Sequence, residues 1–71
     1  MVEARTPVPT LKGRRKTSGL TQAQLAGTVG VSRQTIISIE RGDYAPSVYL
    51  ALRIAGTLDA TVEDLFPLEE S

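Results

Sequence analysis

The stretch from Gln22 to Arg41, QAQLAGTVGVSRQTIISIER, constrains the fold more than any other part of the chain. Leu25, Ala26 and Val29 stand at i, i+1 and i+4, which places them on one face of a helix. Gly30 follows at once, where a chain leaving a helix commonly takes a positive φ that glycine tolerates. Val31 is apolar and placed to plug the angle between two helices. Ser32 offers a side-chain oxygen as N-cap of the next helix. Ile36 and Ile39 give that helix an inward stripe. Its other face carries Ser32, Arg33, Gln34, Ile37, Ser38 and Arg41. The stretch predicts two short helices, 22–29 and 33–41, joined by a tight turn.

The flanks extend this helical pattern. Residues 1–9 hold two prolines and little periodicity, and read as a flexible arm. A first helix is expected over 10–18, anchored by Leu11, weakened by Gly13 and ended by Gly19. Thr21 and Gln24 have the spacing of a capping box for the second helix. Residues 43–46 read as a loop, and Pro46-Ser47 marks a new helix start. Val48, Ala51, Leu52, Ile54, Ala55 and Leu58 give the fourth helix a broad apolar surface. That surface exceeds what one small core requires. It is either a generous core or a self-complementary dimer patch, with Leu50, Leu52 and Leu58 as the candidates. Thr61 caps a short fifth helix, with Val62, Leu65 and Phe66 inward and Pro67 closing it. Residues 68–71 read as a tail. The expectation is an all-α, five-helix domain over 10–67.

Composition narrows the chemistry. Seventy-one residues allow one domain, and 41% apolar content is enough for a helical globule. The chain has no cysteine and no histidine. Disulfides, thiol catalysis, zinc fingers and the usual general base are thereby excluded. No phosphate-cradling glycine loop is present. Asp59, Glu63 and Asp64 read as a solvated acidic face rather than a metal site. An enzyme, a cofactor and a metal are therefore not expected. No apolar run is long enough to span a membrane, and residues 1–10 lack a signal-peptide hydrophobic region, so a cytoplasmic protein is expected. The net charge is zero, but its distribution is uneven. Residues 1–41 carry seven basic residues against two acidic, a balance of +5, and residues 42–71 carry Arg53 against six acidic residues, a balance of −5. A local basic face is what contact with phosphates needs.

The words GLTQAQLA, GVSRQTIISIERG and APSVYLALRIA stand in this order along the chain. Together they resemble the phage-repressor and Cro type of small helix-turn-helix regulators, the XRE family, over 11–66. The resemblance implies a compact five-helix, lambda-repressor-like DNA-binding domain. It further implies a sequence-specific transcriptional regulator of double-stranded DNA, most simply a repressor that binds a near-palindromic operator as a homodimer. No small-molecule ligand is evident.

The family's base-reading positions match Ser32, Arg33, Gln34 and Ser38. Their chemistry suits the role: arginine can donate twice to guanine O6 and N7, and glutamine can pair with adenine N6 and N7. Thr35 can make a shorter contact, and Ile37 can touch a thymine methyl. The glutamine matching Gln22 holds a DNA phosphate in the family, helped by free backbone N–H groups at the helix start. Lys12, Arg14, Lys16, Arg41 and Tyr44 are further phosphate candidates, and Arg5 is an arm candidate. Arg14 departs from the family, where many relatives have leucine. Its stem could cover the core, or its head could reach solvent or phosphate. The positions of Arg15 and Glu40 form an ion pair in the family and are expected to be structural. The same fold also serves as restriction–modification controller and as antitoxin. A protein-interaction module with secondary DNA binding is a further alternative, favoured by the zero net charge and the leucine-rich fourth helix.

Overall fold

The computed structural model describes residues 11–66, and the arm, Thr10, Pro67 and the tail lie outside the described residues. Five helices follow one another: α1 (Leu11–Thr17), α2 (Gln22–Val29), α3 (Arg33–Arg41), α4 (Val48–Thr57) and α5 (Val62–Leu65). The longest has ten residues. Isolated helices of that length are marginal in water, so end chemistry and packing must hold them. The end chemistry is regular. Thr21, Ser32, Ser47 and Thr61 cap α2 to α5, each side-chain oxygen accepting a backbone N–H from the first turn. At α2 the capping box is closed both ways: Gln24 N donates to Thr21 Oγ1 at 3.0 Å, and Thr21 N donates to Gln24 Oε1 at 2.8 Å. Asp64 closes the same box at α5.

The turn between α2 and α3 follows from Gly30, which sits at φ 83° and donates its N–H to Ala26 O. The left-handed conformation costs a residue with a Cβ roughly 1–2 kcal/mol. Val31 N also donates to Ala26 O, at 3.0 Å, so the chain reverses over one carbonyl and α3 starts two residues later. Gly42 ends α3 in the same way, at φ 83°.

The core is centred on Leu25, Ile36 and Ile54, each 0% exposed, one from each of α2, α3 and α4. Val29 and Ile39 extend it, Leu11 closes it from α1, and Leu65 from α5. Leu20, Val31, Val62 and Phe66 pack around it. On α4 the buried face is Leu50, Ala51, Ile54 and Ala55, and Leu58 at its C-terminal cap continues it. This corrects the grouping of Leu50, Leu52 and Leu58 as one candidate dimer patch. Leu50 and Leu58 are each an i±4 step from Ile54, so they enter the core with it, while Leu52 lies on the other side of the helix. Leu50 is 9% exposed and Leu58 4%, against 55% for Leu52.

Helix α1 buries only two residues, Leu11 and Arg15, one turn apart. A buried arginine needs a partner. Arg15 Nε donates to Glu40 Oε2 at 2.6 Å and its Nη2 to Glu40 Oε1 at 3.3 Å. Its Nη1 donates to the Leu20 carbonyl at 2.8 Å. The two side chains are 7% and 4% exposed, so water screens the pair little. Arg14, the neighbouring residue, turns its head to Asp64 of α5 at 3.4 Å, in an ion pair still partly in water. Helix α1 is thus tied to α3 by a buried pair and to α5 by a looser one.

Removing one partner of a buried pair leaves the other charge uncompensated, which costs about 3–5 kcal/mol. A domain of this length has a total stability on the order of 4–10 kcal/mol. Glu40→Ala is therefore expected to lose about half of the folding free energy, measured as a fall in urea midpoint at unchanged slope. A variant with the wild-type midpoint would show that the pair contributes nothing.

Candidate nucleic-acid interface

Helix α3 presents the polar side chains singled out in the sequence. Its N-cap Ser32 and its first residues Arg33 and Gln34 are exposed, and Thr35, Ile37 and Ser38 are half-buried. Ile36 and Ile39 are buried against α2 and α4, which fixes how the helix is rotated and hence which residues look outward. Two open grooves run beside this face. One, of about 430 Å³, is lined by Lys16 from α1, Gln22 and Ala23 from α2, and Arg33 from α3. The other, of about 350 Å³, is lined by Ser32, Gln34, Thr35, Ser38, Asp43 and Tyr44. The adjacent residues Arg33 and Gln34 therefore serve different grooves, consistent with their separation by one helical step of about 100°.

The hydroxyls at the start of α3 are not all available. Ser32 Oγ accepts the Thr35 N–H at 3.1 Å and stands 3.0 Å from Thr35 Oγ1. One hydroxyl hydrogen joins the two oxygens, so this pair keeps one hydrogen for an outside acceptor. Arg33 and Lys16 pair with no carboxylate among the described residues. Both line the first groove.

Gln22 has a second partner that sequence reasoning missed. Its Nε2 donates to Glu40 Oε1 at 3.1 Å. The same carboxylate that holds Arg15 thus also orients the amide at the start of α2. Around that amide, the capping box satisfies the backbone N–H groups of Thr21 and Gln24, while those of Gln22 and Ala23 are first-turn donors without an intrahelical acceptor. A fixed amide beside two free N–H groups at a positive helix end is suited to an anion.

The remaining phosphate candidates divide. Tyr44 is half exposed and lines the second groove. Arg41 lies beside that groove, 3.4 Å from Asp43 in an exposed pair. Lys12 is exposed on α1 but lines neither groove. Arg14 is directed to Asp64 on α5, so the structure does not bring it to the α3 face. Arg53, which sequence reasoning left without a role, donates from Nη1 to the Val29 carbonyl at 2.9 Å. It closes the C-terminal end of α2 just before the turn and fastens α4 to it. A cation at a helix C-terminus is favourable, but nothing in the spacing of residues 29 and 53 announces the contact.

Two helices at a glycine turn, the second carrying a polar outward face flanked by basic side chains, define a helix-turn-helix domain. A helix-turn-helix family model matches residues 11–65, and the chain belongs to this family. It is 52% identical over 61 residues to an uncharacterized HTH-type transcriptional regulator of Methanothermobacter thermautotrophicus, covering 84% of this chain and 88% of that protein. It is 48% identical over 60 residues to the uncharacterized HTH-type transcriptional regulator YgzD of Bacillus subtilis, covering 84% of this chain and 91% of that protein. Among solved structures it is similar to the restriction–modification controller protein C.AhdI of Aeromonas hydrophila, with a TM-score of 0.74 at 33% identity over 82% of this chain and 88% of that one. It is also similar to the clp gene regulator ClgR of Corynebacterium glutamicum, with a TM-score of 0.73 at 30% identity, covering 79% of this chain and 60% of that one. Those neighbours share the five-helix fold.

Arg53→Met keeps the stem and removes the hydrogen bond to Val29. A bond from a charged donor contributes about 1.5–3 kcal/mol when protected; at this exposed residue about 1 kcal/mol is expected. Chemical denaturation should show that loss, and amide exchange should speed up at the last turn of α2. Unchanged exchange there would mean that Arg53 does not hold the turn.

Proposed function

We propose that this protein is a sequence-specific transcriptional regulator of double-stranded DNA, acting most simply as a repressor and binding a near-palindromic operator as a homodimer. The observation that carries the reading is the pair Arg33 and Gln34. They are exposed at the start of α3, and Arg33 is free of any described carboxylate. In domains of this type the second helix of the motif enters the major groove, with its first residues at base edges. Arg33 then reads guanine and Gln34 adenine, Ser32, Thr35 and Ser38 add shorter contacts, and Ile37 meets a thymine methyl. Gln22 and Lys16 hold phosphate on one side of α3, and Tyr44 and Arg41 on the other. Phosphate contacts set register, and base contacts set sequence.

The similar proteins named as transcriptional regulators support this reading. So does the absence of histidine and cysteine, which leaves little for catalysis. No described helix is long and apolar enough to cross a membrane. A regulator of this kind acts in the cytoplasm, on the nucleoid. A more specific role, control of a restriction–modification system, is favoured by one observation: the likeness to C.AhdI extends over 88% of that controller, so a protein of this size and fold suffices for the task.

Selection from a random pool of duplexes at two salt concentrations tests the reading. A near-palindromic motif that survives the higher salt is expected. On that motif Arg33→Ala should cost about 1–3 kcal/mol and relax preference at one base pair per half-site. Lys16→Ala should weaken all sequences alike and lower the salt slope by about 1. A flat, salt-sensitive profile would reduce the protein to a non-specific polyelectrolyte binder. No enrichment at either salt would leave a protein-interaction module as the better account.

A further inference from the structure

Tyr44 and Val48 are large apolar side chains that stay exposed, at 50% and 76%. Both line an open groove of about 490 Å³, together with Ile39 of α3, Val62 of α5 and Phe66 just after it. No residue that lines this groove is charged. An apolar surface of this kind marks an interaction site. Phe66 is also where the chain leaves the last helix. It donates its N–H to Val62 O at 2.8 Å and takes φ −133° and ψ 65°, outside the helical region. Pro67, Leu68, Glu69 and Glu70 come next.

We propose that this groove is the seat of the chain's own C-terminal segment: Pro67 and Leu68 lie across it, with Leu68 against Tyr44 and Val62, and Glu69 and Glu70 reach Arg41. Reach selects this occupant first. Of residues 68–71 only Leu68 is apolar, and it stands two residues beyond Phe66, a span of at most about 7 Å. A segment tethered at the rim meets the groove as an intramolecular event, whereas a separate molecule first loses translational and rotational freedom. The N-terminal residues 1–10 have no such start, because they join α1, and no residue of α1 lines the groove. Backbone chemistry agrees. Pro67 brings no N–H, so the chain that crosses the apolar side chains has one donor fewer to satisfy.

Charge gives the third argument. Arg41 stands in sequence between Ile39 and Gly42, which both line the groove. Its side chain is 70% exposed and meets only Asp43, at 3.4 Å, among the described carboxylates. A guanidinium has five N–H donors, so room remains for a further carboxylate. Glu69 and Glu70 follow Leu68 directly, and four residues beyond Phe66 span up to about 14 Å. The consequence for DNA rests on the function proposed above, in which Arg41 and Tyr44 hold phosphate on one side of α3. Tyr44 lines both the apolar groove and the polar groove along α3. The docked segment thus ends beside the recognition face, and its carboxylates compete with phosphate for Arg41.

Nuclear Overhauser contacts in the isotope-labelled full chain test the docking. Contacts from the Leu68 methyls to the Tyr44 ring and the Val62 methyls are expected within one chain. They should vanish in Leu68→Ser, whose fold a circular-dichroism melt would verify. Their absence from the wild-type chain overturns the proposal. So does their appearance only between labelled and unlabelled chains in a mixed sample, which would give the groove to a second copy. The competition for Arg41 is tested with Glu69→Gln/Glu70→Gln on duplexes of arbitrary sequence. The logarithmic salt slope should steepen by about 0.9, for one more phosphate neutralised. In an Arg41→Ala background the same change should leave the slope as it is. An unchanged slope in the first case, or equal steepening in both, overturns the competition. The DNA reading fails separately: Leu68 contacts within one chain, with no duplex binding at low salt, would end that reading and leave the docked segment standing.

Discussion

One carboxylate organises this domain. Glu40, in the last turn of α3, accepts hydrogen bonds from Arg15 of α1 and from Gln22 of α2. Arg15 in turn holds the Leu20 carbonyl, in the connection between α1 and α2. Three helices therefore meet at one ion pair. A hydrophobic pair of the same volume could match it in stability, since a buried ion pair must first recover the hydration it loses. What an apolar pair would not supply is direction. The planar guanidinium and carboxylate meet in a two-bond geometry, which fixes the angle of α1 against α3. Glu40 Oε1, which accepts from Arg15 Nη2, also accepts from the amide of Gln22 and fixes it. The structural pair and the amide at the start of α2 are thus one network, and a change at Glu40 reaches both.

The rest of the fold shows how far local chemistry goes in short helices. Each of α2 to α5 starts at a hydroxyl cap, and α2 and α3 end at glycines with positive φ. Helix α4 ends differently: Asp59 takes φ 55°, and Ala60 N donates back to Ala55 O at 2.9 Å. Aspartate tolerates that conformation better than most residues with a Cβ, though less well than glycine. Local preference and tertiary packing agree at nearly every boundary, as expected of a sequence that folds to a single state.

This agreement explains what the sequence made legible. The bounds of α2 and α3 follow from Thr21, Gly30, Ser32 and Gly42, because caps and left-handed glycines act within a few residues. The outward rotation of Arg33, Gln34 and Ser38 follows from Ile36 and Ile39. Helix α4 was harder. It is apolar nearly all round, so residue type could not separate Leu50 and Leu58, which are buried, from Leu52, which is not. Helical phase relative to Ile54 decides, and it is known only once Ile54 is seen at the centre of the core. The contacts Gln22–Glu40, Arg53–Val29 and Arg14–Asp64 join residues 18, 24 and 50 positions apart. No local signal encodes them. Arg14 shows the limit well: its charge made it a phosphate candidate, and tertiary structure set it against an acidic residue instead.

That last exchange bears on how a neutral chain can act on DNA. The basic residues of the first half are not equivalent. Arg15 is neutralised in the core, Arg14 is paired with Asp64, and Arg41 stands beside Asp43. Lys12, Lys16 and Arg33 remain without a described carboxylate partner, and of these Lys16 and Arg33 share the first groove. Each phosphate neutralised contributes about −0.9 to the logarithmic salt slope of binding to duplex DNA. Two or three such contacts give each copy only a weak hold on arbitrary sequence. On the proposed reading, affinity must then come from base contacts by α3 and from joining two copies on one site, since linked half-sites bind far more tightly than either alone. The uneven charge thus limits non-specific attraction. On the same reading, Arg33 is both the proposed reader of a base and one of the few cations without a carboxylate partner among the described residues, so discrimination depends on it most.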